Sequence, residues 1–295
     1  VALFQAQDGD RLVLIFHHLV MDGVSWRVLL EDINTLYEQA RTNVELKLPL
    51  KTDSFKSWCE GLIEYANNTA FEDEIDYWGE MVSAKVPPLL ELSDTIPTPQ
   101  VKEATAVLSE ESTKLLTTAV HQAYSTEINE VLLTALLLAF HRTFGVSALW
   151  IMLEGHGREE ILAEKEFSRT VGWFTSMYPL LLQHSIEEAS LADLLIQIKE
   201  DLRRMPNNGI GYGFARYLRP DLWEGDADFH PEVVFNYLGQ FAEATEDEGP
   251  LKVTDEFAGR TTDPRDQPEF NIQVSGLISD GQLHTNIEFN SSLYD

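Results

Sequence analysis

His17-His18-Leu19-Val20-Met21-Asp22-Gly23-Val24-Ser25-Trp26 is the stretch on which the reading of this chain turns. It follows Arg11–Phe16, a short apolar run that reads as a buried strand. Adjacent residues on a strand point to opposite faces, so only one of the two histidines can face a given channel and the other packs into the fold. A neutral imidazole is a suitable general base near neutral pH. Asp22 can orient a histidine, bind a cation, hold the loop by a salt bridge or cap the turn. Metal ligation by His17, His18 and Asp22 together is disfavoured, because an adjacent pair on a regular strand does not converge on one ion. Gly23 breaks the pattern. Ser25 is then placed to cap a helix with Val28, Leu29, Ile33, Leu36, Tyr37 and Ala40 on one face.

Beyond that helix, Phe55, Trp58, Leu62 and Tyr65 form a second helical stripe, and Ile75 with Trp78 marks a third. Pro87, Pro88, Pro97 and Pro99 stop helices, and the segment reads as a connection between two lobes, 1–95 and 96–295. The second lobe opens with a strand at Thr105–Leu108. Ser109 caps a helix with Glu110 and Glu111 at the positive end of its dipole. Ile128–Phe144 is an apolar helix closed by Gly145. Leu149–Leu153 and Met177–Leu182 read as strands, with a helix from Ser190 and Asp193 to Arg204. Val233–Leu238, Phe270–Ile278 and Gln282–Phe289 follow as strands, the last two joined by the hairpin signal Asp280-Gly281. Strands and helices alternate without a strict βαβ repeat, which predicts an α+β fold with two-layer lobes rather than a Rossmann sheet.

Composition narrows the function classes. The net charge is −28 over 295 residues, which argues against nucleic-acid or anionic-membrane partners, since both need a cationic face. The local exception is Arg203, Arg204, Arg216 and Arg219, a basic island that is either a carrier or phosphate contact or a solvated helix end. Cys59 is the only cysteine, so there is no disulfide framework, and a reducing, cytoplasmic compartment is expected. No apolar run reaches membrane-spanning length.

Four further segments carry chemistry. Glu154-Gly-His156-Gly-Arg158-Glu159 puts a carboxylate at the end of an apolar strand, where burial raises its pKa unless it is paired. The others are Arg169-Thr-Val-Gly172-Trp173-Phe174-Thr-Ser-Met-Tyr178-Pro179, Pro206-Asn-Asn-Gly209-Ile-Gly211-Tyr212-Gly213 and Phe235-Asn236-Tyr237-Leu-Gly-Gln-Phe241. Each mixes aromatics, glycines and amides. That mixture suits a channel lining, and equally a turn or a core segment.

In order and spacing these segments resemble the motifs of epimerization domains of nonribosomal peptide synthetases, within the condensation-domain superfamily. The histidine motif is shared across that superfamily, whereas Glu154–Glu159, Arg169–Pro179 and Phe235–Phe241 are similar to epimerization domains in particular. One departure is Glu130, where the pattern has Asp. The resemblance implies two chloramphenicol-acetyltransferase-like lobes in a V with a tunnel between them. It also implies that the segment normally preceding the histidine motif and the helix following Tyr294 are missing, so the first lobe is incomplete. Leu12, Leu14 and Phe16 are then expected to be partly bared, and the isolated chain to be insoluble or self-associating.

The implied activity is inversion of the α-carbon of an aminoacyl or peptidyl residue held as a phosphopantetheine thioester on a carrier domain. The implied roles follow the motifs. His18 and Glu154 flank the reacting carbon, and Asn236 and Tyr237 bond or position the substrate. Asp22 pairs with Arg158, while His17 and Gly23 are structural. Trp26, His156, Arg169, Trp173, Phe174, Tyr178, Gly211 and Tyr212 line the way for substrate and carrier arm. No metal or diffusible cofactor is required. The expected partners are an upstream peptidyl carrier domain and a downstream condensation domain. The rival readings are an amide-forming condensation domain and an inactive carrier-docking module.

Overall fold

The computed structural model describes residues 1–90, 100–223, 225, 229–240, 251, 254, 256, 259, 263 and 268–294. The expected lobe boundary at 95/96, Pro97, Pro99 and Phe241 fall outside these residues.

The architecture is a mixed α/β fold on one six-stranded sheet. Its strands are β3 (Val101–Val107), β4 (Ala148–Gly155), β5 (Ser176–Gln183), β6 (Val233–Gln240), β7 (Ile272–Ser279) and β8 (Gln282–Asn290). They lie in the order β3-β8-β7-β6-β4-β5. The β4–β6 and β6–β7 pairs are parallel and the others antiparallel. The hairpin between β7 and β8 turns on Asp280 and Gly281, with φ of 50° and 71°. Two successive positive φ values give the turn the twist that antiparallel strands need.

Helices α1 (Gly23–Arg41), α2 (Phe55–Ala66) and α3 (Glu72–Val82) precede the sheet. Helices α4 (Glu110–Thr117), α5 (Ala119–Tyr124), α6 (Ile128–Phe144) and α7 (Leu191–Arg204) follow β3, and Gly211–Gly213 continues into a π turn at Phe214–Leu218. The departure at Glu130 serves α6 directly. Its carboxylate reaches back to accept from Glu127 N at 2.7 Å, half of a capping box. Gly145 closes α6 at φ 71°. Leu133 and Leu137 from α6, Ile151, Leu180, Leu182 and Val233 from the sheet, Trp58 from α2, Phe71 from the 3₁₀ turn before α3, and Ile75 and Trp78 from α3 share one buried cluster. The core therefore runs through residues on both sides of 95/96. No single helix among the described residues is long and apolar enough to cross a membrane.

The opening of the chain differs from the sequence reading. Strand β2 covers only Arg11–Val13, and it pairs with β1 (Ala2–Phe4) in a separate two-stranded ribbon. Leu12, Ile15 and Phe16 are 38%, 77% and 41% exposed, so this is not a buried strand. An isolated ribbon has no second layer to cover its apolar face. The histidines are not on a strand either. His18 starts a 3₁₀ turn, His18–Val20, and both histidines are exposed. Gly23 is the first residue of α1. The residue capping α1 is Asp22, not Ser25, which lies three positions further on inside the first turn.

Candidate active site

Asp22 sits at the N-terminus of α1, 3% exposed. Its Oδ1 accepts from Ser25 N at 2.8 Å and Ser25 Oγ at 2.7 Å, and its Oδ2 accepts from Phe174 N at 3.0 Å. Arg158 then donates from Nη1 to Oδ2 at 2.7 Å and from Nη2 to Oδ1 at 3.1 Å. Burial pushes the Asp22 carboxyl up, but Arg158, Ser25 and the backbone N–H groups of Ser25 and Phe174 outweigh it and hold the pKa below the ordinary value. A carboxylate so fully engaged has no oxygen left for a cation or a substrate. Both Nη groups of Arg158 are committed, while its buried Nε has no partner among the described residues. Arg158 also donates to Thr170 O at 3.0 Å, and its guanidinium stacks 4.0 Å over the Phe174 ring. Ser25 Oγ also accepts from Gly172 N at 3.1 Å, tying α1 to the loop before β5. Gly157 has φ 68° and passes so close that a Cβ there would lie 1.7 Å from Phe174 O. That position needs glycine for both reasons.

Glu154 is placed by strand register. Leu153 of β4 pairs with Phe235 of the parallel strand β6, which brings the next residues, Glu154 and Asn236, side by side. Asn236 Nδ2 donates to Glu154 Oε2 at 2.5 Å. Burial raises the Glu154 pKa, only partly opposed by the nearby His18 and the Asn236 bond. Among the described residues no arginine compensates it as Arg158 compensates Asp22. Tyr237, next on β6, faces the other side of the sheet, with its ring beside Gly276 and near Leu132 of α6.

These groups meet at a cavity of about 490 Å³. His18, Asp22, Trp26 and the start of α1 line it together with Glu154, His156, Asn236 and, although its ring turns to the α6 side, Tyr237. Among the described residues no group of three or more His, Cys, Asp or Glu is placed to hold a metal ion. The cavity presents an imidazole and a partly desolvated carboxyl to a guest, with an amide holding the carboxyl in place.

The family model for the condensation domain matches residues 1–295. The chain belongs to the condensation-domain family. Surfactin synthase subunit 1 of Bacillus subtilis (strain 168) is 43% identical to the domain over 298 residues, covering 98% of this chain and 8% of that protein. Tyrocidine synthase 1 of Brevibacillus parabrevis is 40% identical over all of this chain and 28% of its own length. The chain thus spans a small part of the curated relatives it matches. The epimerization domain from the third module of tyrocidine synthetase B superposes with a TM-score of 0.90 at 37% identity, over 99% of this chain and 66% of that one. A nonribosomal peptide synthetase condensation enzyme, VibH, is 16% identical with a TM-score of 0.65, over 95% of this chain and 62% of that one, and shares the fold.

Several residues expected along the channel of this condensation-family domain lie elsewhere. Arg169 is bound to Glu31 and Asp32 of α1, which spends its charge on an ion-pair cluster. Phe174 is 4% exposed among Phe55, Trp58 and Phe167. Tyr178 of β5 is half-buried beside Gly155, its phenol pushed up to about 12, and it leaves no room for a side chain at Gly209. Tyr212 stacks between Trp78 and Trp223 in the core. Gly211 is glycine because a Cβ would strike the buried Glu74 carboxylate at 1.7 Å. Aromatic and glycine-rich segments pack cores as readily as they line channels: Phe174, Gly211 and Tyr212 are buried, and Tyr178 packs against the core. Trp173 stands edge-on to His18 with centroids 5.3 Å apart, beside the cavity rather than on its wall.

His17 does not pack inside. It is exposed, and its Nδ1 accepts from Leu19 N at 3.1 Å to hold the turn that presents His18. The basic island is dispersed: Arg203 donates to Ser125 O, Arg216 to the Tyr212 hydroxyl and Arg219 to Ala66 O, while Arg204 lies 4.0 Å from Asp201. Sequence reading missed Ser25 as the hub linking Asp22, Arg158 and Gly172. The signal was available, since Asp22 and Ser25 have the N-cap to N3 spacing of a reciprocal cap.

Proposed function

We propose that this domain inverts the α-carbon of an aminoacyl or peptidyl residue held as a phosphopantetheine thioester on a carrier domain. The observation that carries the reading is that His18 and Glu154 line one cavity, with the Glu154 carboxyl shifted toward its protonated form. The 37% identity to an epimerization domain supports it.

A thioester acidifies the adjacent C–H bond only weakly, so its proton needs a positioned base. In the forward direction one of the pair takes the α-proton. The electron pair of the broken C–H bond delocalises into the thioester carbonyl as an enolate. The other group delivers a proton to the opposite face. The two groups then hold each other's starting protonation states and reset by exchange with solvent. Glu154, with its raised pKa, can carry a proton for delivery at a pH where an ordinary carboxyl has lost its own. Asn236 is a positioning residue for Glu154, and Asp22 with Arg158 anchors the turn that carries His18. Residues 1–95 and 96–295 act as the two lobes of the site. An upstream carrier domain delivers the thioester, and a downstream condensation domain receives the product.

Solvent-deuterium exchange at the α-carbon of a carrier-bound substrate tests this. The expected result is deuterium incorporation accompanied by inversion, without amide formation. Amide formation from a donor and an acceptor thioester, with no exchange, would replace this reading with a condensation reaction.

A further inference from the structure

The cavity ends at Asn236, but the chemistry of the sheet surface does not. The register carries a polar row across the strands: Asn236 of β6 pairs with Ser275 of β7, Ser275 with Asn286 of β8, and Asn286 with Thr105 of β3. Residues in register share a face. That face is opposite α6, because Gly276, the next residue of β7, is the one directed toward Leu132 of α6 and Leu283. Glu154 lies in the same row on β4, so the row begins at the carboxyl of the site. One flanking row runs Met152, Val234, Gln273 and Glu288, apolar beside the site and polar beyond it, and the other holds Leu238, Leu277 and His284.

Ser275 and Asn286 are half-buried, and Asn286 Oδ1 is fully buried with no hydrogen-bond partner among the described residues. A buried amide oxygen is normally paired, and leaving one unpaired is costly. Asn236, Ser275 and Asn286 each offer both a donor and an acceptor, which is the complement of a secondary amide. Neighbouring strands are about 4.8 Å apart, so the row from Asn236 to Asn286 is about 10 Å long. An extended chain advances about 3.3–3.6 Å per residue, so about three backbone units fit along it.

We propose that Asn236, Ser275 and Asn286 form a subsite for the secondary amides of the extended chain that carries the reacting carbon. The inference rests on the proposed reaction and adds to it the part of the substrate that is held. Secondary amides reach this site from two sources, the peptide preceding the reacting residue and the pantetheine arm. Asn236 holds Glu154 at one end, and rotation of the half-buried Asn286 amide presents its unpaired oxygen to an amide N–H of the guest at the other.

The test compares the parent domain with Ser275→Ala and Asn286→Leu on three thioesters of one amino acid. These are an aminoacyl thioester of a short alkyl thiol with no amide, the same aminoacyl group on pantetheine, and a dipeptidyl thioester of the alkyl thiol. The readout is kcat/KM for α-proton exchange, with equilibrium binding of each thioester measured alongside. The ratio of an amide-bearing thioester to the amide-free one is expected to fall about three- to tenfold in each variant, the size of one net hydrogen bond. A fall confined to the dipeptidyl ratio assigns the row to the peptide, and a fall confined to the pantetheine ratio assigns it to the arm. Ratios equal to the parent's in both exchange and binding overturn the subsite. Binding ratios that fall while no thioester exchanges even with the parent would leave the subsite standing and remove the proposed reaction.

Discussion

Asp22 and Glu154 are both carboxyl groups withdrawn from water at the same cavity, and their surroundings drive them in opposite directions. Asp22 has a bidentate arginine, a serine hydroxyl and two backbone N–H donors, and its pKa is lowered. Among the described residues Glu154 has one neutral amide donor, a histidine nearby and the like charge of Glu269, and burial raises its pKa. The difference separates a group that fastens two segments together from one whose proton can be exchanged. Desolvation is common to both. The donor set decides which of the two roles results.

The largest effect expected from breaking this contrast is on turnover. In the two-base account, His18→Ala and Glu154→Gln each lower net inversion of a carrier-bound residue by about 10²–10⁴-fold, the usual contribution of a positioned acid or base. Chiral analysis of the hydrolysed product measures it. Near-parental inversion in either variant would point to a single base. The same Glu154→Gln change should leave the unfolding free energy at neutral pH equal to the parent's or higher, since it removes a poorly compensated buried acid.

Asp22→Asn has the opposite profile. It leaves Arg158, whose side chain is 6% exposed, without its anion. Removing one partner of a buried pair costs about 3–5 kcal/mol, so denaturant unfolding should show a loss of that order. Unchanged stability with lost turnover would move Asp22 into the chemistry.

The pH dependence separates the two groups by sign. Asp22, with a lowered folded pKa, contributes stability that is present above its ordinary value of 3.8 and lost as pH falls through the folded value. Glu154, with a raised folded pKa, does the reverse. As pH rises past its ordinary value of 4.5, the unfolded chain releases the proton first, and folded stability declines until the folded group ionises too. The stability of Glu154→Gln relative to the parent should therefore increase as pH rises through that window. A flat difference would show that Glu154 is not shifted.

Ser25→Ala is the smallest perturbation. It strips the hydroxyl that Gly172 N and Arg158 Nη2 use, at 3.1 and 3.2 Å. A loss of about 1–3 kcal/mol in unfolding free energy is expected, short of the Asp22→Asn effect. An equal or larger loss would make the serine, not the ion pair, the main fastening.

What could be read from the sequence follows the range of the forces involved. Helix α6, helix α7 and the β7–β8 hairpin carry local signals, in the Gly145 closure, the Ser190–Asp193 cap and Asp280-Gly281, and all three form within two residues of the expected bounds. Arg11–Phe16 is apolar enough for a core strand, but apolarity cannot say which neighbours will cover it, and here β1 alone pairs with its first half. The alternation assumed for His17 and His18 failed with it, because their backbone turns. The Asp22–Arg158 pair joins residues 136 apart, so motif resemblance, not local pattern, brought them together. Phe174 and Tyr212 look like channel aromatics by composition. Only the packing of Trp58, Phe167 and Trp78 around them makes them core.

The most direct test of the two-base account is α-deuterium wash-out from the L and D forms of a carrier-bound residue, followed separately in His18→Ala and Glu154→Gln. With one base on each face, each variant loses wash-out from one configuration while keeping it from the other, and the two variants lose opposite ones. Loss of the same configuration in both, or wash-out from both configurations in either variant, would contradict the assignment of His18 and Glu154 to opposite faces of the α-carbon.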